Sequence, residues 1–444
     1  MFFDNTKKSM ERALLIFIKF KNYKLKSRNL PAGKQTFEQN IEELKNLASS
    51  AGAEVISEII HIQEKPNPKY YISTGKLEEI EQSIIDDDIN ILIFDDELTP
   101  GQQVNLQEKL KIKVIDRTAL ILDIFAQRAQ SREGKLQVEL AQLNYLMPRL
   151  KGKGLILSRL GGGIGTRGPG ETKLEVDRRK IRDKINLLEK KILQISVQRE
   201  VQRKLREESG AFKISLVGYT NSGKSTLLNS LTDADVLEKD MLFSTLDSTT
   251  RKLNLDTGYE VLISDTVGFI EKLPHQLVAA FKSTLEEVVK ADLLLMIVDL
   301  SNPDYENHIL SVKKVLNEIG AKNSDILLVF NKIDKIASDL LIRSVRLIYR
   351  NAIFISAKKK LGFSELLDKI KEIVSSDYIK ILIKIPYNES SFESQIYKNC
   401  SITQKKYLKN YIKIIANCDS KTFMKISSLV FGSSSNIKIQ KYKK

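Results

Sequence analysis

Two cysteines and three histidines in 444 residues leave several kinds of chemistry without the groups they need. Cys400 and Cys418 cannot build a disulfide framework or a four-ligand zinc site, so a reducing compartment fits the chain. His61, His275 and His308 are scattered, which argues against a histidine-based triad or metal centre and for ordinary surface or core histidines. Long apolar runs are lacking too. None approaches the roughly 20 residues of a membrane-spanning helix. "ALLIFIKF", residues 13–20, is too short and too soon interrupted by Lys19 to act as a signal peptide. A cytoplasmic, monomeric protein is the expectation.

The composition is that of a soluble globular chain, 42% hydrophobic and 29% charged, with length for two to four domains. Its formal charge of +15 is unevenly placed. Residues 128–206 carry 20 lysines and arginines against 8 acids, and residues 377–444 carry 13 against 4. The remaining two stretches are slightly acidic. Two basic surfaces meeting a polyanion, nucleic acid or anionic membrane, account for this segregation. A lysine-rich composition is the plainer account of the tail.

The organisation implies an α/β protein in four parts. Residues 1–125 alternate short apolar runs with amphipathic stretches, as in a small α/β domain with a largely parallel sheet. Residues 126–206 hold two helical patterns. Leu136, Leu140, Leu143, Met147 and Leu150 form one seam; Leu174, Ile181, Ile185, Leu188, Ile192 and Ile195 form the other. Narrow seams of this kind predict an antiparallel helical hairpin, whose second helix of roughly 35 residues would reach about 50 Å. Residues 207–376 return to strand and helix alternation, as a phosphate-loop GTPase domain would. Residues 377–444 read as a small basic α+β domain, with strands at "YIKILIKIPYN" and "SSNIKIQKYKK" around a helical middle.

The chemistry concentrates in the third part. "GYTNSGKST", residues 218–226, follows an apolar strand and opens a helix, the context a phosphate loop requires. Gly218, Tyr219, Thr220, Asn221, Ser222 and Gly223 supply backbone N–H groups to a cradle. Lys224 neutralises β and γ oxygens, and the Ser225 hydroxyl ligates Mg²⁺. "DTVG", Asp265, Thr266, Val267 and Gly268, ends another strand; its carboxylate can hold Mg²⁺ directly or through water, and the Gly268 N–H can reach the γ-phosphate. In "NKID", Asn331, Lys332, Ile333 and Asp334, the last carboxylate can accept both the N1 and N2 protons of guanine, a pair adenine lacks. Asn331 can support the far edge of the base. "SAK", Ser356, Ala357 and Lys358, can offer backbone N–H to guanine O6. Within "FSTLDSTTR", residues 243–251, which opens on Phe243, Ser244, Thr245, Leu246 and Asp247, a threonine should close over Mg²⁺ and the γ-phosphate; Thr245 is the choice and Thr249 the alternative. Phe269 stands where many Ras-like GTPases place a glutamine that orients water, so no catalytic residue is assigned and slow intrinsic hydrolysis is expected.

The runs "DDELTPGQQVNLQEKL", "RTALILDIFAQRAQSREGKLQVELAQLNYLMPRL" and "GGGIGTRGPGETKLEVDRR", with the GTP-binding motifs, make the chain similar to the HflX family, translation-associated GTPases of the Obg-like branch. The similarity covers residues 95–334 almost continuously. Two departures stand out: "YISTGK", residues 71–76, replaces the usual glycine-rich start of that motif, and no tryptophan lies near the arm tip. The resemblance implies binding of GTP and GDP, association with the large ribosomal subunit and, in several members, splitting of stalled or idle ribosomes under stress. It also gives a purpose to the glycine-rich stretch between the two helices. A pliant tip with Arg159, Gly161, Gly162, Gly163 and Arg167 suits insertion into folded ribosomal RNA, where phosphate contacts and shape dominate; a simple hairpin cap is the plain alternative. Two other readings stay open: a GTP-regulated adaptor with weak membrane association through its basic tail, and an RNA chaperone or helicase whose N-terminal half binds ATP.

Overall fold

The computed structural model describes residues 10–21, 37–150, 173–207, 211–232, 243, 249–255, 260–271, 282–321, 325–431 and 437–442. The first part is built on β1 (Glu11–Phe20), β2 (Ala53–Gln63), β3 (Ile91–Phe94) and β4 (Lys113–Asp116), all parallel in the order β2-β1-β3-β4. The four residues of β3 are all buried, as expected of a central strand covered on both faces. Helices α1 (Phe37–Ala51), α2 (Thr74–Asp86), α3 (Pro100–Leu110) and α4 (Arg117–Arg128) alternate with the strands. Thr99 caps α3 in a full capping box with Gln102, and Pro100 follows at the first helical turn.

Helix α5 (Arg132–Arg149) has two working faces. Val138, Ala141 and Tyr145 join the core of the first sheet. The predicted seam of Leu136, Leu140, Leu143, Met147 and Leu150 is only half-buried and is not the face that fills that core. Helix α6 (Lys173–Glu207) runs the expected 35 residues, with Ile185 and Leu188 buried and Lys184 paired to Glu139 of α5 at 2.5 Å. Among the side chains described on α6, Leu187, Leu193 and Val197 are exposed along with the charged ones, so Ile185 and Leu188 form a narrow buried line.

The second sheet runs β10-β9-β8-β5-β7-β6. Its strands are β5 (Phe212–Gly218), β6 (Thr249–Asn254), β7 (Glu260–Asp265), β8 (Leu293–Asp299), β9 (Asp325–Asn331) and β10 (Ile353–Phe354). All pairs are parallel except β6 with β7. Helices α7 (Lys224–Thr232), α8 (Lys282–Val289), α9 (Tyr305–Glu318), α10 (Asp339–Ile348) and α11 (Phe363–Asp377) flank it, with two separate apolar clusters on its two faces.

The last part departs from expectation in its middle. Between α12 (Ser391–Asn399) and α13 (Ser420–Phe431) lie two strands, β12 (Ser401–Tyr407) and β13 (Tyr411–Asp419), where a helical stretch was expected. Ile412, Ile414, Ala416 and Cys418 alternate on β13 and fill the core at a period of two. With β11 (Tyr378–Pro386) and β14 (Lys438–Lys441) they make an antiparallel sheet in the order β12-β13-β11-β14.

Candidate functional site

The site gathers at the carboxyl ends of β5, β7, β8 and β9, where open α/β sheets place ligands. Gly218 ends β5, and a Cβ there would meet the Ile297 carbonyl oxygen of β8 at 2.3 Å. Gly223, with φ of +93°, lies where a Cβ would collide with Asn331 Nδ2 at 2.2 Å. Between them the chain turns through Asn221, also left-handed at φ +58°. Lys224 then opens α7, so the loop leads straight into the N-terminus of a helix, where unpaired N–H groups favour an anion.

Lys224 is 6% exposed and donates to the Gly218 carbonyl at 3.2 Å and the Tyr219 carbonyl at 2.9 Å. Burial pulls its pKa down to about 8; Asp265 opposes the shift and Lys332 adds to it. Thr220 Oγ1 and Ser222 Oγ are buried with no hydrogen-bond partner among the described residues. A depressed ammonium and orphaned hydroxyls at a helix N-terminus are groups that an anion would satisfy. The Ser225 hydroxyl donates to Asp265 Oδ2 at 2.7 Å. That all-oxygen pair fits a hard cation such as Mg²⁺.

Asp265 is buried at the end of β7 and accepts from the Thr266 N–H; the Thr266 hydroxyl donates to the Leu216 carbonyl. Gly268 packs so closely that a Cβ would lie 2.9 Å from Thr220 Cα and 3.1 Å from Lys224 Nζ. Val267 belongs instead to the apolar cluster of the first sheet. Phe269 is 2% exposed, in the core beside Val217 and Leu285, while its backbone pairs with the loop: its N–H donates to the Gly218 carbonyl and its carbonyl accepts from the Thr220 N–H. A side chain so placed cannot orient a water.

At the far end, Asn331 is 2% exposed and bonds within the protein through both ends of its side-chain amide. Its Nδ2 donates to the Ser222 carbonyl at 2.8 Å, and its Oδ1 accepts from the Ala357 N–H at 2.9 Å. It is thus a strut between three loops, and of the "SAK" amides offered to guanine O6 it engages that of Ala357. Lys332 adopts φ +63° and its Nζ pairs with Asp299 at 2.8 Å. Ile333 and Asp334 form a short turn with Lys335. The Ser356 hydroxyl holds the half-exposed Asp334 carboxyl below the ordinary carboxylate range. Lys358 is exposed beside buried Ala357 and Ser356.

Phe243 is buried, edge-on to Phe125 of α4 at 4.6 Å. Ser244, Thr245, Leu246 and Asp247, like Arg159, Gly161, Gly162, Gly163 and Arg167 of the arm loop, lie outside the described residues. Thr249, the alternative metal threonine, opens β6 opposite Asp265.

Sequence reasoning missed what stands behind the phosphate loop. The Tyr219 side chain stacks on His308 at 3.8 Å, donates to Glu43 of α1 and accepts from the Glu271 N–H at 2.9 Å. Arg117 of α4, itself buried, bonds Glu43, Asp95 at 2.8 Å and the Glu271 carbonyl at 3.2 Å. The first part of the chain therefore abuts the loop and the segment after "DTVG". One signal was available: a charged pair, Asp116 and Arg117, inside the apolar run "VIDRTALILDIF".

Residues 38–126 match the family described as GTP-binding GTPase N-terminal, residues 128–206 the GTP-binding GTPase middle region, and residues 213–332 the 50S ribosome-binding GTPase family. The GTPase HflX of Caldanaerobacter subterraneus subsp. tengcongensis is 50% identical over 353 residues, 80% of this chain and 81% of its own. That of Escherichia coli is 42% identical over 361 residues, 81% of this chain and 85% of its own. Among solved structures, a GTP-binding protein from Sulfolobus solfataricus in complex with GDP shares 28% identity, covers 83% of this chain and 99% of its own, and has a TM-score of 0.42. With a phosphate-loop site of this construction and relatives of this similarity along most of its length, the chain is a GTPase and belongs to the HflX family.

Proposed function

We propose that this GTPase acts on the large ribosomal subunit, splitting stalled or idle ribosomes under stress, with hydrolysis accelerated by the ribosome. The observation that carries the acceleration is Phe269, whose ring fills the core where a water-orienting group is commonly found. Chemistry at such a site needs order supplied from outside, and a partner that settles the switch segments can supply it. The basic arm and the description of the family matched by residues 213–332 support the choice of partner. The cytoplasm is where it would work.

In the nucleotide site, the loop amides and Lys224 hold the phosphates, Asp334 reads the guanine edge, and the Gly268 N–H meets the γ-phosphate. Ser225, Asp265 and Thr245 are the residues that would hold Mg²⁺, which supplies charge neutralisation between the β and γ oxygens when bound. The deciding measurement is the GTP hydrolysis rate with and without purified large subunits, beside sucrose-gradient profiles of ribosomes exposed to the protein with GTP. A rate unchanged by large subunits, together with intact ribosomes, would remove the proposal.

A further inference from the structure

The C-terminal sheet carries both its helices on one face. Ile383 and Ile385 of β11, Ile412 and Ile414 of β13, and Ile437 and Ile439 beside or within β14 join the core shared with α12 and α13. Lys405 of β12 reaches Glu393 of α12 on that same side. Because side chains alternate along a strand, Lys384, Lys413, Lys406 and Lys438 all fall on the opposite face, where Lys406 and Lys438 are exposed and Lys384 and Lys413 are half-buried beside buried Leu382 and Ile415.

The register aligns these four. Lys406 stands opposite Lys413, Lys413 opposite Lys384, and Lys384 opposite Lys438, so one unbroken row of ammonium groups crosses all four strands. Strand spacing makes the row about 14 Å long. None of the four forms an ion pair among the described residues, and the only acid in the four strands, Asp419, ends β13 six residues from Lys413. Like charges directly opposite one another destabilise a sheet. Nothing in the packing calls for four in register. Two tyrosines sit beside the row on the same face: Tyr411 under Lys384 at 5.3 Å and Tyr442 under Lys380 at 5.1 Å.

We propose that this face, with its lysine row and flanking Tyr411 and Tyr442 rings, is a binding site for unpaired, single-stranded RNA. The ammonium row offers contacts to a polyphosphate backbone, and the rings offer faces on which bases stack when the lysines swing to the phosphates. A four-stranded sheet with helices behind it and aromatics in front suits splayed bases better than a closed duplex. The site lies outside the residues matched to the HflX-type family models. It does not rest on ribosome splitting, because free oligonucleotides test it.

The full-length protein is titrated against a fluorescent 12-nucleotide oligouridine, a perfectly paired RNA hairpin, and vesicles containing phosphatidylserine. The double variant Lys384→Gln/Lys413→Gln should weaken oligouridine binding about tenfold or more. It should flatten the dependence of log affinity on log salt by about 1.4, or about 0.7 for each phosphate no longer neutralised. Its unfolding temperature should not fall, since a like-charge pair has been removed. Tyr411→Leu should weaken oligouridine roughly five- to hundredfold and leave hairpin affinity within about twofold. Unchanged affinity and slope in the double variant would overturn the proposal. So would an equal loss on hairpin and oligouridine, or vesicle binding that depends on the two lysines while oligouridine does not bind.

Discussion

Lys224 is held charged with difficulty. Burial lowers its pKa to about 8 against an ordinary 10.5, and a phosphate against Nζ would restore the charge. The pKa in the complex thus exceeds that of the free protein, so the lysine's contribution to binding is complete below about pH 8 and is lost as pH rises beyond it. GTP affinity should be flat below pH 8 and then fall by up to about tenfold per pH unit, with one proton taken up on binding. Calorimetry at pH 9 in buffers of different ionisation heat measures that proton, and zero uptake would discard the assignment. Asp334 is the opposite case, a half-exposed carboxyl that the Ser356 hydroxyl keeps ionised. Asp334→Asn should weaken GTP by roughly ten- to hundredfold, the worth of a charged hydrogen bond, and favour xanthosine triphosphate in a competition assay. Equal GTP affinity in the variant would remove Asp334 from base recognition.

At the scale of elements, much of the site could be read from the sequence because its motifs are contiguous and end apolar strands. The phosphate loop, "DTVG" and "NKID" stand at β5, β7 and β9 as expected. What the sequence hid are contacts between distant segments. Asn331 and Ser222 are 109 residues apart, and Tyr219 and Glu43 are 176 apart. No local periodicity marks such pairs. β12 was hidden for another reason: "SITQKKY" sets Lys405 and Lys406 side by side and lacks an apolar alternation. The contact of α1 and α4 with the phosphate loop has a stability consequence. Arg117→Ala strands the buried Asp95 and the mostly buried Glu43 carboxylates and should cost about 3–5 kcal/mol, read from urea unfolding. A loss below about 1 kcal/mol would mean that the pairs behave as solvated ones. Phe269→Ala should likewise lose about 3–5 kcal/mol through the cavity it leaves. Its GTP affinity, measured under conditions where it stays folded, should change far less than that of Lys224→Ala. Equal losses would place the ring in the binding site.

Over the whole molecule, the basic charge stands apart from the catalytic charge. Residues 128–206 carry 20 basic against 8 acidic residues and residues 377–444 carry 13 against 4, while the GTPase part is slightly acidic, so the basic regions can be altered without touching the nucleotide. The arm is rooted rather than loosely attached: α5 inserts Tyr145 into the first core, where it donates to Asp116, and Arg149 bonds Asp116, Gln103 and the Leu98 carbonyl. A root held this way should stay folded when the glycine-rich stretch between the two helices is shortened. Shortening residues 161–170 to a tight turn, or changing Arg159 and Arg167 to alanine, should therefore preserve GTP affinity and unfolding temperature. Ribosome-stimulated hydrolysis should fall in both variants. In the arginine variant the salt dependence of ribosome binding should flatten by about one counterion for each phosphate that an arginine no longer neutralises. If the shortened protein still reaches the full stimulated rate and still splits ribosomes, the glycine-rich stretch is only a cap on a hairpin, and the arm's contribution lies along its helices instead.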